Sequence, residues 1–157
     1  MSTTVIVSGA RTPFGKIGGT LSRLTAAELG GMTIKAALER ASNVHEVDEV
    51  IMGSVLQGGQ GQIPSRQAAR HADLPWSVPT QTINKVCASG MRSVTTADQI
   101  IRAGDANVIV AGGMESMSHA PYLLKKSTMG LQNGRWCCTR CHDFRWINLF
   151  VYRCSYG

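Results

Sequence analysis

Cys87 is the residue best placed for covalent chemistry. It is the only cysteine among the first 134 residues. The run behind it, Ala88-Ser89-Gly90-Met91-Arg92-Ser93-Val94, is rich in small residues and reads as the start of a helix. Ala88, Met91, Val94, Thr95, Ala97 and Ile101 form an apolar stripe at helical spacing, and Gly104 supplies a natural stop. A thiol at a helix start meets backbone N–H groups and the positive end of the helix dipole. Both favour the thiolate, the nucleophilic form. The competing reading is a buried cysteine that packs as a small hydrophobe. Spacing alone leaves both readings open.

The elements that must position Cys87 can be read in order. Thr4 to Ser8 is a short apolar strand, followed after Gly9 by a polar loop containing Pro13 and two glycine clusters. Thr25-Ala26-Ala27-Glu28 has the capping-box pattern, a hydroxyl at the cap and a carboxylate three residues on, and predicts a helix to about Ala41. Leu29, Met32, Ile34, Ala37 and Leu38 are among its apolar positions. Val47 to Gln57 contains a second strand centred on Val50-Ile51-Met52, and Pro64 suits the first turn of a short helix through Ala72. Thr80 to Ile83 is a third strand that delivers the chain to Cys87. Asn107 to Ala111 is a fourth, ending at Gly112-Gly113. This alternation predicts an α/β fold: a layered, mostly parallel sheet flanked by helices, with an irregular C-terminal tail. Ligand chemistry on such sheets gathers at the carboxyl ends of the strands, which places the Cys87 loop and the Gly112-Gly113 turn on one rim.

Asn84-Lys85-Val86-Cys87-Ala88-Ser89-Gly90-Met91, followed by Val110-Ala111-Gly112-Gly113-Met114-Glu115-Ser116-Met117-Ser118, resembles the thiolase family, and within it the acetyl-CoA acetyltransferase type. The opening Ser8-Gly9-Ala10-Arg11-Thr12-Pro13-Phe14-Gly15-Lys16 and the segment Gly53-Ser54-Val55-Leu56-Gln57 also fit, and the resemblance covers roughly residues 4–134. It implies that Cys87 is the nucleophile that carries an acyl group, in a two-step transfer that forms or cleaves acetoacetyl-CoA. Acetyl-CoA or acetoacetyl-CoA would be the partners, coenzyme A thioesters would be substrates rather than cofactors, and a homo-oligomer is the family norm. The family's other reactive groups are a histidine in a Gly-His-Pro context and a cysteine in a Cys-x-Gly context, both in its second half. Neither pattern occurs here, and His45, His71, His119 and His142 stand in other contexts. The resemblance therefore extends to the N-terminal half only. The expectation is a truncated form, inactive in turnover, with a non-catalytic module that pairs with a full-length relative as the alternative. Gly112 and Gly113 read as permitting a close backbone turn, Glu115 as a buried, hydrogen-bonded carboxylate orienting that turn, and Ser89 and Gly90 as allowing tight helix packing. Lys125-Lys126 reads as a solvated pair, and Arg11 and Arg66 could pack at a loop or touch a subunit partner.

Residues 135–157 differ in kind from residues 1–134. Residues 1–134 carry 12 Lys and Arg against nine Asp and Glu, and residues 135–157 carry four Arg against one Asp, so the tail holds half of the +6 net charge. Cys137, Cys138, Cys141 and Cys154 all lie in the tail, with six of the nine aromatics. We read this shift as a slip of reading frame near Trp136. Cys138-Thr139-Arg140-Cys141-His142 has the spacing of a haem-attachment motif, and these cysteines with His142 could be read as a zinc set. No second Cys-x-x-Cys supports zinc and no secretory segment supports haem, so no metal is expected. Charges elsewhere are interspersed, which argues against nucleic acid. No apolar run approaches a membrane span, and a cytoplasmic location is the default.

Overall fold

The structure is a computed structural model that describes residues 3–42, 44–124, 138–140 and 149–155, with backbone alone from residue 123 onward. Its elements are β1 (Thr3–Ala10), α1 (Ala26–Arg40), β2 (Glu49–Gly53), α2 (Pro64–His71), β3 (Thr80–Ile83), α3 (Ser89–Ala103) and β4 (Val108–Gly113). A single 3-10 turn at Met117–His119 follows, then β5 (Tyr122–Leu124), β6 (Cys138–Arg140) and β7 (Leu149–Ser155). Five strands form one sheet in the order β1-β7-β4-β2-β3, and β5 pairs with β6. β2 pairs in parallel with both β3 and β4, whereas β7 runs antiparallel to β1 and to β4. The predicted βαβ alternation is thus present, with one reversed strand inserted.

Residues 135–157 were expected to be irregular, yet two stretches of them are strands. Leu149-Phe150-Val151-Tyr152 is a run of apolar, β-branched and aromatic residues, the composition that favours a strand. Its backbone occupies the place between β1 and β4. Cys137, Cys141, His142 and Lys125-Lys126 lie outside the described residues.

The strand period of two divides the core between two faces. Val50, Met52 and Val110 face α1 and α2, meeting Ile34, Ala37, Ala68 and Ala69. Ile51, Ile109 and Ala111 face α3, meeting Ala97 and Ile101. Both faces of the central strands are covered, which explains their continuous apolar runs. Each fully buried Val, Ile or Met here contributes about 1.5–3 kcal/mol relative to exposure.

The helix ends follow the sequence signals. Thr25 caps α1, and the reciprocal bonds of a capping box are both formed, Glu28 N to Thr25 Oγ1 at 3.2 Å and Thr25 N to Glu28 Oε2 at 2.8 Å. Pro64 opens α2. Gly104 ends α3 in the left-handed region, with φ of 88°. The apolar stripe expected on α3 is partly corrected. Met91 is 65% exposed, while Ser89, Ser93, Ala97 and Ile101 are buried. The first turn of α3 lies against glycine backbone at the ends of β2 and β4, where only small side chains fit.

Candidate active site

Cys87 follows β3 and precedes α3 by one residue, Ala88, which is the N-cap. It is exposed to solvent. The buried-hydrophobe reading is therefore excluded, and the predicted strand–loop–helix placement is met. The loop that carries it is closed by its own polar atoms. Asn84 Oδ1 accepts from Val86 N at 3.0 Å. Ser89 Oγ accepts from Lys85 N at 2.8 Å and donates to Val86 O at 2.6 Å. Ala88 N and Ser89 N donate back to Lys85 O and Val86 O, each at 3.1 Å. These bonds hold Val86, the residue before the thiol, at φ of 49°. A β-branched residue in the left-handed region is strained and persists only where its surroundings impose it.

The loop and α3 rest on the rim of the sheet. A methyl group at Gly53 would stand 2.5 Å from Gly90 N, and one at Gly113 would stand 3.1 Å from Gly90 Cα. Ser93 Oγ, fully buried, lies 2.6 Å from both Gly90 O and Gly112 O, so its single proton is shared between helix and strand. Gly113 therefore serves close approach of two backbones, and neither Gly112 nor Gly113 forms a turn of unusual dihedral, since both lie within β4. Gly90 and Ser89 act in helix packing, as their size predicts.

Glu115, two residues beyond β4, has a different partner from the one expected. Its carboxylate accepts from Val55 N at 2.8 Å and from Leu56 N at 3.3 Å, at the exit of β2 rather than at the glycine pair. Burial raises its carboxyl above the ordinary value, and the two amide bonds act in the opposite direction. Glu115 also lines a cleft with Thr12, Phe14, Leu21, Leu29 and Met117. A second cleft lies between the start of α1, the Gly58-Gly59-Gln60 turn and His119. Cys87 lines neither.

The remaining residues have local roles. Arg11 lies over Phe14 at 5.0 Å and donates to Thr12 O. Arg66 donates to Trp76 O and Val78 O, and Arg70 to Leu74 O, with both guanidiniums against the Trp76 ring. Sequence reasoning passed over Asn84 as a structural residue. Its signal was available, because an Asn two residues before a strained position is a common turn former. Among the described residues no group of three His, Cys, Asp or Glu is arranged to hold a metal, and no helix is long and apolar enough to cross a membrane.

Comparison with known proteins bears on this geometry directly. Residues 4–142 match the model of the thiolase N-terminal domain. The acetyl-CoA acetyltransferase of Cupriavidus necator is 55% identical over 135 residues, which is 85% of this chain and 34% of that protein. A probable acetyl-CoA acetyltransferase of Mycobacterium tuberculosis is 53% identical over the same span and shares. The mitochondrial acetyl-CoA acetyltransferase B of Xenopus laevis is 59% identical over 123 residues, 78% of this chain and 29% of that protein. The chain thus spans about a third of the length of the curated relatives it matches. With an exposed cysteine loop seated on a glycine-lined sheet rim, and with a family match over residues 4–142, the chain belongs to the thiolase family.

Proposed function

We propose that Cys87 is the acyl acceptor of an acetyl-CoA acetyltransferase reaction, and that these 157 residues perform acyl acceptance without carbon–carbon bond formation. The observation that carries the reading is the exposed thiol one residue before the α3 cap, on a loop that fixes its neighbour in a strained conformation. The Cys87 sulfur attacks the thioester carbonyl carbon of acetyl-CoA and forms a new C–S bond. The bond from that carbon to the coenzyme sulfur breaks. The proton lost by the cysteine is balanced by the one the released coenzyme thiol takes from solvent.

Condensation needs more. It needs a base for a weakly acidic C–H and a second thiol, and the Gly-His-Pro and Cys-x-Gly contexts of those groups do not occur in the sequence. The names of the relatives support acetyl-CoA as the acyl donor. The test is a time course of free coenzyme A from acetyl-CoA, followed by chromatography. A single burst of about one coenzyme A per chain with no acetoacetyl-CoA is expected, and Cys87→Ala should abolish the burst. Continuous acetoacetyl-CoA formation would overturn the limit to acyl acceptance. A burst that persists in Cys87→Ala would overturn the assignment of the thiol.

A further inference from the structure

Two hydrogen-bonded links join the end of β4 to the cysteine loop, although they belong to different segments of the chain. Glu115 Oε2 accepts from Val55 N at 2.8 Å, and Oε1 accepts from Leu56 N at 3.3 Å. These amides lie just past Gly53, the last residue of β2. At the carbonyl of Val55, Asn84 Nδ2 donates to Val55 O at 3.2 Å. The second amide atom of Asn84, Oδ1, accepts from Val86 N at 3.0 Å. A continuous path therefore runs from the Glu115 carboxylate through the Val55 peptide and the Asn84 side chain to the strained residue before the thiol.

We propose that Glu115 is a positioning residue for Cys87, acting through Val55 and Asn84; this rests on the reading of Cys87 as the acyl-accepting thiol. The physical need is clear from Val86. A left-handed β-branched residue returns to an ordinary conformation unless its backbone is tied down. Asn84 ties its N–H, while Ser89 holds its carbonyl, and Asn84 is in turn anchored on the Val55 carbonyl. That carbonyl lies beyond the β2 ladder; it also accepts from Gln57 N at 3.1 Å, and Ser54 N, one residue earlier, donates to Ile83 O at 3.0 Å. The Glu115 carboxylate adds the side-chain anchor, holding the amides of Val55 and Leu56 on either side of it. Burial of this carboxylate in a site with two N–H donors suits a fixed anchor better than a group that exchanges protons with substrate.

The experiment measures alkylation of Cys87 by iodoacetamide, using peptide-resolved mass spectrometry to separate it from the tail cysteines. It needs no acetyl-CoA, so it is independent of the acyl-transfer reading. Glu115→Leu and Asn84→Ala should each change the rate by about tenfold, because the loop loses its fixed geometry. Glu115→Gln keeps an acceptor for Val55 N and should stay within about twofold of the parent. The double variant Glu115→Leu with Asn84→Ala should be no further from the parent than the more affected single, since both cut one path. Circular dichroism of each variant confirms a folded sheet. The proposal is overturned if Glu115→Gln behaves as Glu115→Leu, which would assign the effect to charge. It is also overturned if the two single effects multiply, or if Glu115→Leu reacts at the parent rate. If instead the coupling holds and acetyl-CoA leaves Cys87 unmodified, the positioning role stands and the acyl-transfer reading fails.

Discussion

Gly53, the last residue of β2, lies so close to Ser89, the first of α3, that a methyl group on Gly53 would stand 2.6 Å from the Ser89 carbonyl oxygen. The contact is backbone against backbone, so no side chain can move aside. Strand end and helix start are thereby fixed to one another, and the cysteine loop is the connection between β3 and that helix.

Gly53→Ala is expected to destabilise the fold by about 1–3 kcal/mol, the range for overpacking a filled site. Because the added atom pushes on the start of α3, it should also change the alkylation rate of Cys87. Urea unfolding and peptide-resolved alkylation on the same preparation check both effects.

Ser93→Ala removes the buried hydroxyl shared between Gly90 O and Gly112 O. The strand carbonyl at Gly112 loses a donor in a site closed to water. The expected cost is about 1–3 kcal/mol, read as a lower urea midpoint with unchanged slope. Ser93→Thr adds a methyl group beside the glycine rim and should not restore stability.

Val86→Asn is expected to stabilise the chain by about 1 kcal/mol. Val86 holds φ of 49° and the residue is 58% exposed, so strain is relieved while little burial is lost. Asparagine enters the left-handed region more readily than valine. A rise in urea midpoint checks this, and no rise would mean that the loop does not strain Val86.

Thr25→Ala should cost about 1 kcal/mol by removing the α1 cap. Its effect should depend on pH. Hydrogen bonds from the Thr25 backbone and side chain lower the Glu28 carboxyl below its ordinary value of 4.5. That contribution is fully present above the unfolded value and is lost as pH falls through the folded one. The gap in stability between parent and variant should therefore narrow on acidification below 4.5. Glu115 has the opposite sign. Its raised carboxyl makes ionisation a cost that is absent below the unfolded value and complete only above the folded one. Urea midpoints of parent and Thr25→Ala across the acid range measure the gap.

The parts of the fold that sequence shows are those set by local chemistry. Thr25 and Glu28 announce the start of α1, Pro64 the start of α2 and Gly104 the end of α3, because caps and breakers act within a few residues. Thr80–Ile83 has the bounds expected of the strand that delivers the chain to Cys87. What escaped the sequence depends on distant partners. Met91 has helical core spacing and is exposed, whereas Ser93 is polar and buried, because glycine backbone from β2 and β4 decides which sizes fit at the start of α3. The place of β7 between β1 and β4 is likewise a matter of pairing between distant segments, the β1 partner lying more than a hundred residues away, which no local pattern carries. At the candidate site, the placement of Cys87 between β3 and α3 was legible from the small-residue helix start behind it. The Val55 and Asn84 links were not, since they join segments about thirty residues apart through one peptide group.

The central claim, that Cys87 accepts the acyl group, is tested most directly by peptide mapping after brief exposure to acetyl-CoA. The chain holds five cysteines, four of them in residues 135–157, so the map must resolve each one. The account predicts an acetyl group on the Cys87 peptide, lost on adding hydroxylamine, which cleaves thioesters, and absent in Cys87→Ala. An unmodified Cys87 peptide, or acetylation confined to the other cysteines, would contradict it.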